Sequence, residues 1–171
     1  HARVSARESI VLLKNERNLL PLSKNIKSVA LVGPLADDPK AMLGAWYVAG
    51  NAEKVITLKD ALSEMLPDLK INHARGTGYF DAEDHSGFNE AIEAAKRSEI
   101  VLMALGETHS QSGESTSRTD IGFPANKQEL LKEIHKLGKP IVLLAMAGRP
   151  LTLTWSKKNI PAILNTWHLG S

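Results

Sequence analysis

The chain has 171 residues, 43% of them hydrophobic, no cysteine and a formal charge of +2 that is spread along its length. That composition fits one globular domain with a real core; it excludes disorder, disulfides and thiolate zinc sites, and no basic block marks a nucleic-acid or membrane surface. No apolar run approaches the roughly 18–20 residues that cross a bilayer, and no signal-peptide pattern opens the sequence.

Val4, Ala6, Ile10, Leu12 and Leu13 have helical spacing, so an amphipathic helix is predicted from Ala2 to Glu16, broken by Leu19-Leu20-Pro21-Leu22. Ser28 to Val32, bounded by Gly33-Pro34, reads as the first buried strand, and Asp37 to Asn51 as irregular. Thr57 with Asp60 three residues on predicts a capped helix that stops at Pro67, followed by a short strand over Leu69 to His73. A helix over Ser86 to Ser98 buries Phe88, Ala91, Ile92 and Ala95 and leads into the strand Ile100 to Leu105.

Asn126 with Glu129 resembles a capping box, and Leu130, Leu131, Ile134 and Leu137 form a stripe that ends at Gly138. Pro140 to Met146 follows as a strand, Trp155 to Ile160 as a connector, and Ala162 to Asn165 as a fifth strand. This alternation predicts an α/β fold: a doubly wound, mostly parallel, flavodoxin-like sheet with helices on both faces. Loops after the carboxyl ends of its strands open on one edge, where such sheets bind ligands. Glu107, Glu114 and Arg149 are thereby expected around one cleft.

Gly106 to Asp120 is the loop richest in chemistry, with Glu107, His109, Glu114, Arg118 and Asp120 among small polar residues. Glu114, flanked by Gly113 and Ser115, is either a solvated loop carboxylate or a mobile proton donor of the kind glycoside hydrolysis needs, a reaction that requires a second carboxylate. Arg149 reads either as a guanidinium in the cleft or as a turn residue paired with a surface acid. Trp167 and His168 read either as a stacking face and a hydrogen bond for a sugar, or as core or interface residues. Gly76-Thr77-Gly78 begins like a dinucleotide loop but lacks the third glycine and an adjacent helix start, so an ordinary turn fits better and no cofactor is expected. The six histidines show no ligand spacing, so no metal site is expected either.

Three segments carry a family likeness: Ala6-Arg7-Glu8-Ser9-Ile10-Val11-Leu12-Leu13-Lys14-Asn15-Glu16 with Leu19-Leu20-Pro21-Leu22, Ser112-Gly113-Glu114 through Ser117-Arg118-Thr119-Asp120, and Gly138-Lys139-Pro140 through Gly148-Arg149-Pro150-Leu151. The chain resembles the second, α/β-sandwich domain of glycoside hydrolase family 3, and looks most like the bacterial periplasmic β-glucosidase branch. The resemblance implies a retaining, exo-acting β-glycosidase that needs no cofactor and acts on terminal β-glucosyl residues. In it Glu114 matches the acid/base, while Arg118, Asp120, Glu107 and His109 shape the loop or touch sugar. The nucleophilic aspartate would come from an N-terminal barrel that is absent here, so the isolated chain is expected to be inactive.

On the same likeness, residues 1–24 are a helix and linker leading in from the barrel. Residues 25–171 are the sandwich domain, expected to be incomplete at its C-terminus, and the parent is expected in the periplasm or outside the cell. Two rival readings stand beside this one: a noncatalytic carbohydrate- or partner-binding module, and a nucleotide-binding domain resting on Gly76 and Gly78.

Overall fold

The computed structural model describes residues 1–170. Six strands, β1 (Val11–Asn15), β2 (Ser28–Val32), β3 (Lys70–Ala74), β4 (Ile100–Gly106), β5 (Ile141–Met146) and β6 (Ala162–Asn165), form one sheet in the order β1-β6-β5-β4-β2-β3. Every pairing is parallel except that of β1 with β6. The central strands are continuous apolar runs because both of their faces are covered. The helices are α1 (Ala2–Ser9), α2 (Pro39–Leu43), α3 (Leu58–Met65), α4 (Phe88–Lys96), α5 (Lys127–His135) and α6 (Thr154–Asn159).

Ala91, Ala94 and Ala95 of α4 and Leu130, Leu131 and Ile134 of α5 pack with Val32, Met103, Leu105 and Leu143 on one face of the sheet, with Trp155 of α6 against the same cluster. Ala41 of α2, Leu58 and Leu62 of α3, and Leu19, Leu20 and Leu22 of the connector cover Leu31, Ala104 and Val142 on the other. Helices on both faces of a mostly parallel sheet are the architecture that the alternating pattern predicts. From β2 the chain winds outward to β3, then crosses back to β4 on the other side of β2. The switch point therefore lies between β2 and β4, and the loops that follow these two strands flank it.

Several local expectations are corrected. The predicted helix from Ala2 to Glu16 stops at Ser9, and Val11–Asn15 is instead a strand whose Val11 and Leu12 pair with Asn165 and Leu164. The edge of β6 offers unpaired backbone groups, and the run Ile10-Val11-Leu12-Leu13 satisfies them; this nonlocal partner overrides helical spacing and gives six strands rather than five. Within the supposedly irregular Asp37 to Asn51, Asp38 Oδ1 accepts from Lys40 N and Ala41 N and starts the short α2. The Trp155 to Ile160 connector is largely helical, as α6.

Thr57 and Asp60 form the expected capping box, but Asn126 does not cap α5. Its amide nitrogen donates 2.5 Å to Asp84 O, so the side chain is drawn to the neighbouring loop instead. Gly138, at φ 69°, ends that segment as expected.

Candidate active-site loop

The loop starts where β4 must come very close to β5. A Cβ on Gly106 would lie 1.6 Å from Met146 O, so only glycine fits, and the following Glu107 N donates to the same carbonyl at 2.8 Å. Glu107 is therefore fixed to the sheet at the switch point and is fully buried. Its carboxylate is completely engaged: Arg118 Nη1 donates to Oε1 at 2.5 Å, and Arg149 Nε to Oε2 at 3.1 Å. The guanidiniums also reach backbone, Arg149 Nη2 to Gln111 O and Thr116 O at 2.9 and 2.8 Å, and Arg118 Nη2 to Gly122 O at 3.1 Å.

Glu114 lies between those anchors and is exposed. Gly113 at φ 108° and Ser115 at φ 60° turn the chain sharply on both sides of it, and Thr116 Oγ1 closes the turn onto Gly113 O at 2.6 Å. A side chain at Gly113 would meet Ala45 Cβ at 2.8 Å as well as adopt an unfavourable backbone angle. The site residues thus separate into two sets. Glu107, Arg118 and Arg149 come together beneath the loop, whereas Glu114 stands apart at its crest.

Asp120 is exposed and accepts from Gly122 N at 2.7 Å, shaping the turn that receives Arg118. His109 Nδ1 lies 3.1 Å from Thr108 Oγ1, and its ring meets Tyr47 edge-on with centroids 6.5 Å apart. Arg149 is thus the partner of a buried acid rather than a surface one. Trp167 turns away and donates to Ser9 O at 3.0 Å, while His168 Nε2 sits 3.4 Å from Ser112 Oγ under the loop. Burial pushes the His168 imidazole below its ordinary pKa, which favours the neutral ring.

Three contributors escaped the sequence reading. Trp46 is 69% exposed and lies beside Gly113, where a Cβ would sit 3.8 Å from its Nε1. An exposed indole there, next to Tyr47 and between Gly44 and Gly50, is a signal that the irregular segment contained but spacing did not connect to Glu114. Lys127 is fully buried, with Nζ donating to Tyr79 O at 3.1 Å and Pro124 O at 3.3 Å, and burial lowers its pKa to about 8. Tyr79 ties the same loops together, its hydroxyl donating to Asp38 Oδ2 at 2.5 Å while Gln111 Nε2 donates to its carbonyl at 3.1 Å. Among the described residues no cluster of His, Asp or Glu is arranged to hold a metal ion, and no helix is long and apolar enough to cross a membrane.

Fold and loop together define an α/β-sandwich domain that presents the exposed Glu114 on the loop after β4, at the carboxyl edge of its sheet. A family profile described as glycosyl hydrolase family 3 C-terminal domain matches residues 10–171, and the chain belongs to that family. A β-xylosidase of Formosa agariphila is 37% identical over 171 residues, spanning 96% of this chain and 24% of its own. A periplasmic β-glucosidase of Salmonella typhimurium is 35% identical over 190 residues, spanning 99% and 25%. A crystal structure of the Listeria innocua β-glucosidase with isofagomine superimposes with a TM-score of 0.88 at 34% identity, over 99% of this chain and 23% of that one. The chain therefore spans about a quarter of the length of the relatives it matches.

Proposed function

We propose that this domain supplies the acid/base of a retaining, exo-acting β-glycosidase, with terminal β-glucosides as substrates. The observation that carries this reading is the exposed Glu114 at the crest of a loop whose base is fixed at the switch point of the sheet. Retaining hydrolysis needs two carboxyl groups about 5–5.5 Å apart. Glu107 is unsuited to be the second, because both of its oxygens are held by arginines. The nucleophile then belongs to a barrel domain of the same protein, from which residues 1–24 lead in, with β1 added to the edge of the 25–171 sandwich.

In the first step the barrel aspartate attacks the anomeric carbon and the glycosidic C–O bond breaks, while Glu114 gives its proton to the departing oxygen. In the second, Glu114 takes a proton from water, whose oxygen displaces the aspartate and releases the sugar. Trp46 and Tyr47 offer an apolar wall to the leaving group, since aromatic faces suit the C–H face of a sugar or an aryl ring. Support for β-glucosides comes from the Salmonella and Listeria relatives; the Formosa relative makes β-xylosides the competing substrate. The periplasm is the proposed location, on the Salmonella relative.

Kinetics of Glu114→Gln in the full-length enzyme test the assignment. Turnover of substrates with poor leaving groups should fall about 10²–10⁴-fold, far less for an activated aryl glycoside, and azide should restore the latter as a glycosyl azide. Unchanged turnover with weakened binding alone would identify a noncatalytic module instead. The isolated 171-residue chain should not turn over an aryl β-glucoside; robust hydrolysis abolished by Glu114→Ala would place the whole active site here.

A further inference from the structure

We propose that Glu107 is the positioning residue of the acid/base loop, a buried counter-ion shared by Arg118 and Arg149 that locks both guanidiniums onto the backbone around Glu114. This rests on the reading of Glu114 as the acid/base. The loop from Ser110 to Ser117 consists of serine, glutamine, glycine, glutamate and threonine. It has no apolar side chain with which to anchor itself in the core, so its shape must come from polar contacts.

Removing a carboxylate and two guanidiniums from water is costly, and a buried ion pair by itself is weak support for stability. Here the arrangement does something an apolar replacement would not. One carboxylate, tied to β5 through its own backbone at 2.8 Å, orients two planar donor groups. Their remaining N–H groups then hold three carbonyls, Gln111 O and Thr116 O on either side of Glu114 and Gly122 O where the loop returns. Position is thereby transmitted from the sheet through Glu107 and Arg149 to the segment that carries Glu114. Glu107 itself exchanges no proton with substrate, because protonation would break both ion pairs and neither oxygen reaches solvent.

Arginine is required for geometric reasons. Arg149 makes three bonds in different directions from one rigid plane, and a lysine ammonium would keep the charge but not that fork. Charge and geometry can therefore be separated by experiment. Glu107→Gln removes the shared charge at nearly constant shape, and Arg149→Lys keeps the charge while removing the fork.

The test has two arms. In the 171-residue chain, amide hydrogen exchange at 111–117 should speed up about tenfold or more in both variants while β4 and β5 keep their protection. In the full-length enzyme both variants should lower kcat about 10–100-fold with KM changed less than about threefold, and azide should restore neither. Unchanged exchange and unchanged kcat would overturn the clamp. Azide rescue of Glu107→Gln would make Glu107 the proton-transfer group and overturn the clamp and the Glu114 assignment together. Failure of azide to rescue Glu114→Gln would sink only the functional reading, since the exchange arm does not depend on glycoside chemistry. If Glu107→Gln unfolds the domain, Arg149→Lys, at a partly exposed position, decides.

Discussion

Arg149 donates to Glu107 Oε2 at 3.1 Å although the two residues stand 42 positions apart, at the carboxyl ends of neighbouring strands β5 and β4. The parallel register that sets Gly106 beside Met146 brings the two loops together, and the ion pair then fixes the longer one.

Gly106→Ala should destabilise the domain by about 3–5 kcal/mol, because the new methyl meets a backbone carbonyl that cannot move without parting β4 from β5. Urea unfolding measures this. A loss below about 1 kcal/mol would mean that the two strands relax easily, contrary to a rigid base for the loop.

Trp46→Ala should change folding stability by no more than about 0.5 kcal/mol, since the indole is largely in solvent. In the full-length enzyme it should raise KM for aryl glycosides several-fold while leaving small-alkyl glycosides less affected. Thermal melts and a leaving-group series report the two effects separately. Equal KM changes for both classes would remove Trp46 from the leaving-group site.

Lys127 should make stability depend on alkaline pH. Its folded pKa of about 8 lies below the 10.5 of a free lysine, so between these values the unfolded chain holds a proton that the folded chain has lost. Stability attributable to this group therefore rises with pH across that window, by on the order of 3 kcal/mol, and below pH 8 the buried ammonium weighs against folding. Lys127→Met should abolish the rise. A wild-type minus variant difference that stays flat from pH 7.5 to 10.5 would show that Lys127 does not titrate there.

Thr57→Ala should cost about 1–2 kcal/mol. The buried hydroxyl accepts from Asp60 N at 3.1 Å, closing the α3 capping box, and donates to Asp37 Oδ1 at 3.0 Å. Thr57→Ser should retain most of that stability in the same unfolding experiment, which separates the hydroxyl from the methyl.

The sequence by itself determined the sheet-and-helix alternation, the buried strands, the Thr57 cap and the loop that carries Glu114. These are written in local patterns: continuous apolar runs for strands covered on both faces, helical spacing for α4 and α5, and a cluster of ionisable groups among small residues after β4. Family likeness in Ser112-Gly113-Glu114 and Ser117-Arg118-Thr119-Asp120 is what suggests the proposed acid/base role of Glu114. Only the tertiary structure decided the rest, because each remaining feature depends on a partner distant in the chain. Val11–Asn15 is a strand because β6 offers an edge, the Asn126 side chain forgoes the α5 cap because Asp84 O lies within reach, and Trp46 lies beside Gly113 because the loops after β2 and β4 flank one switch point. Glu107 and Glu114 read alike as loop carboxylates; two arginines bury one, and the turn they hold exposes the other.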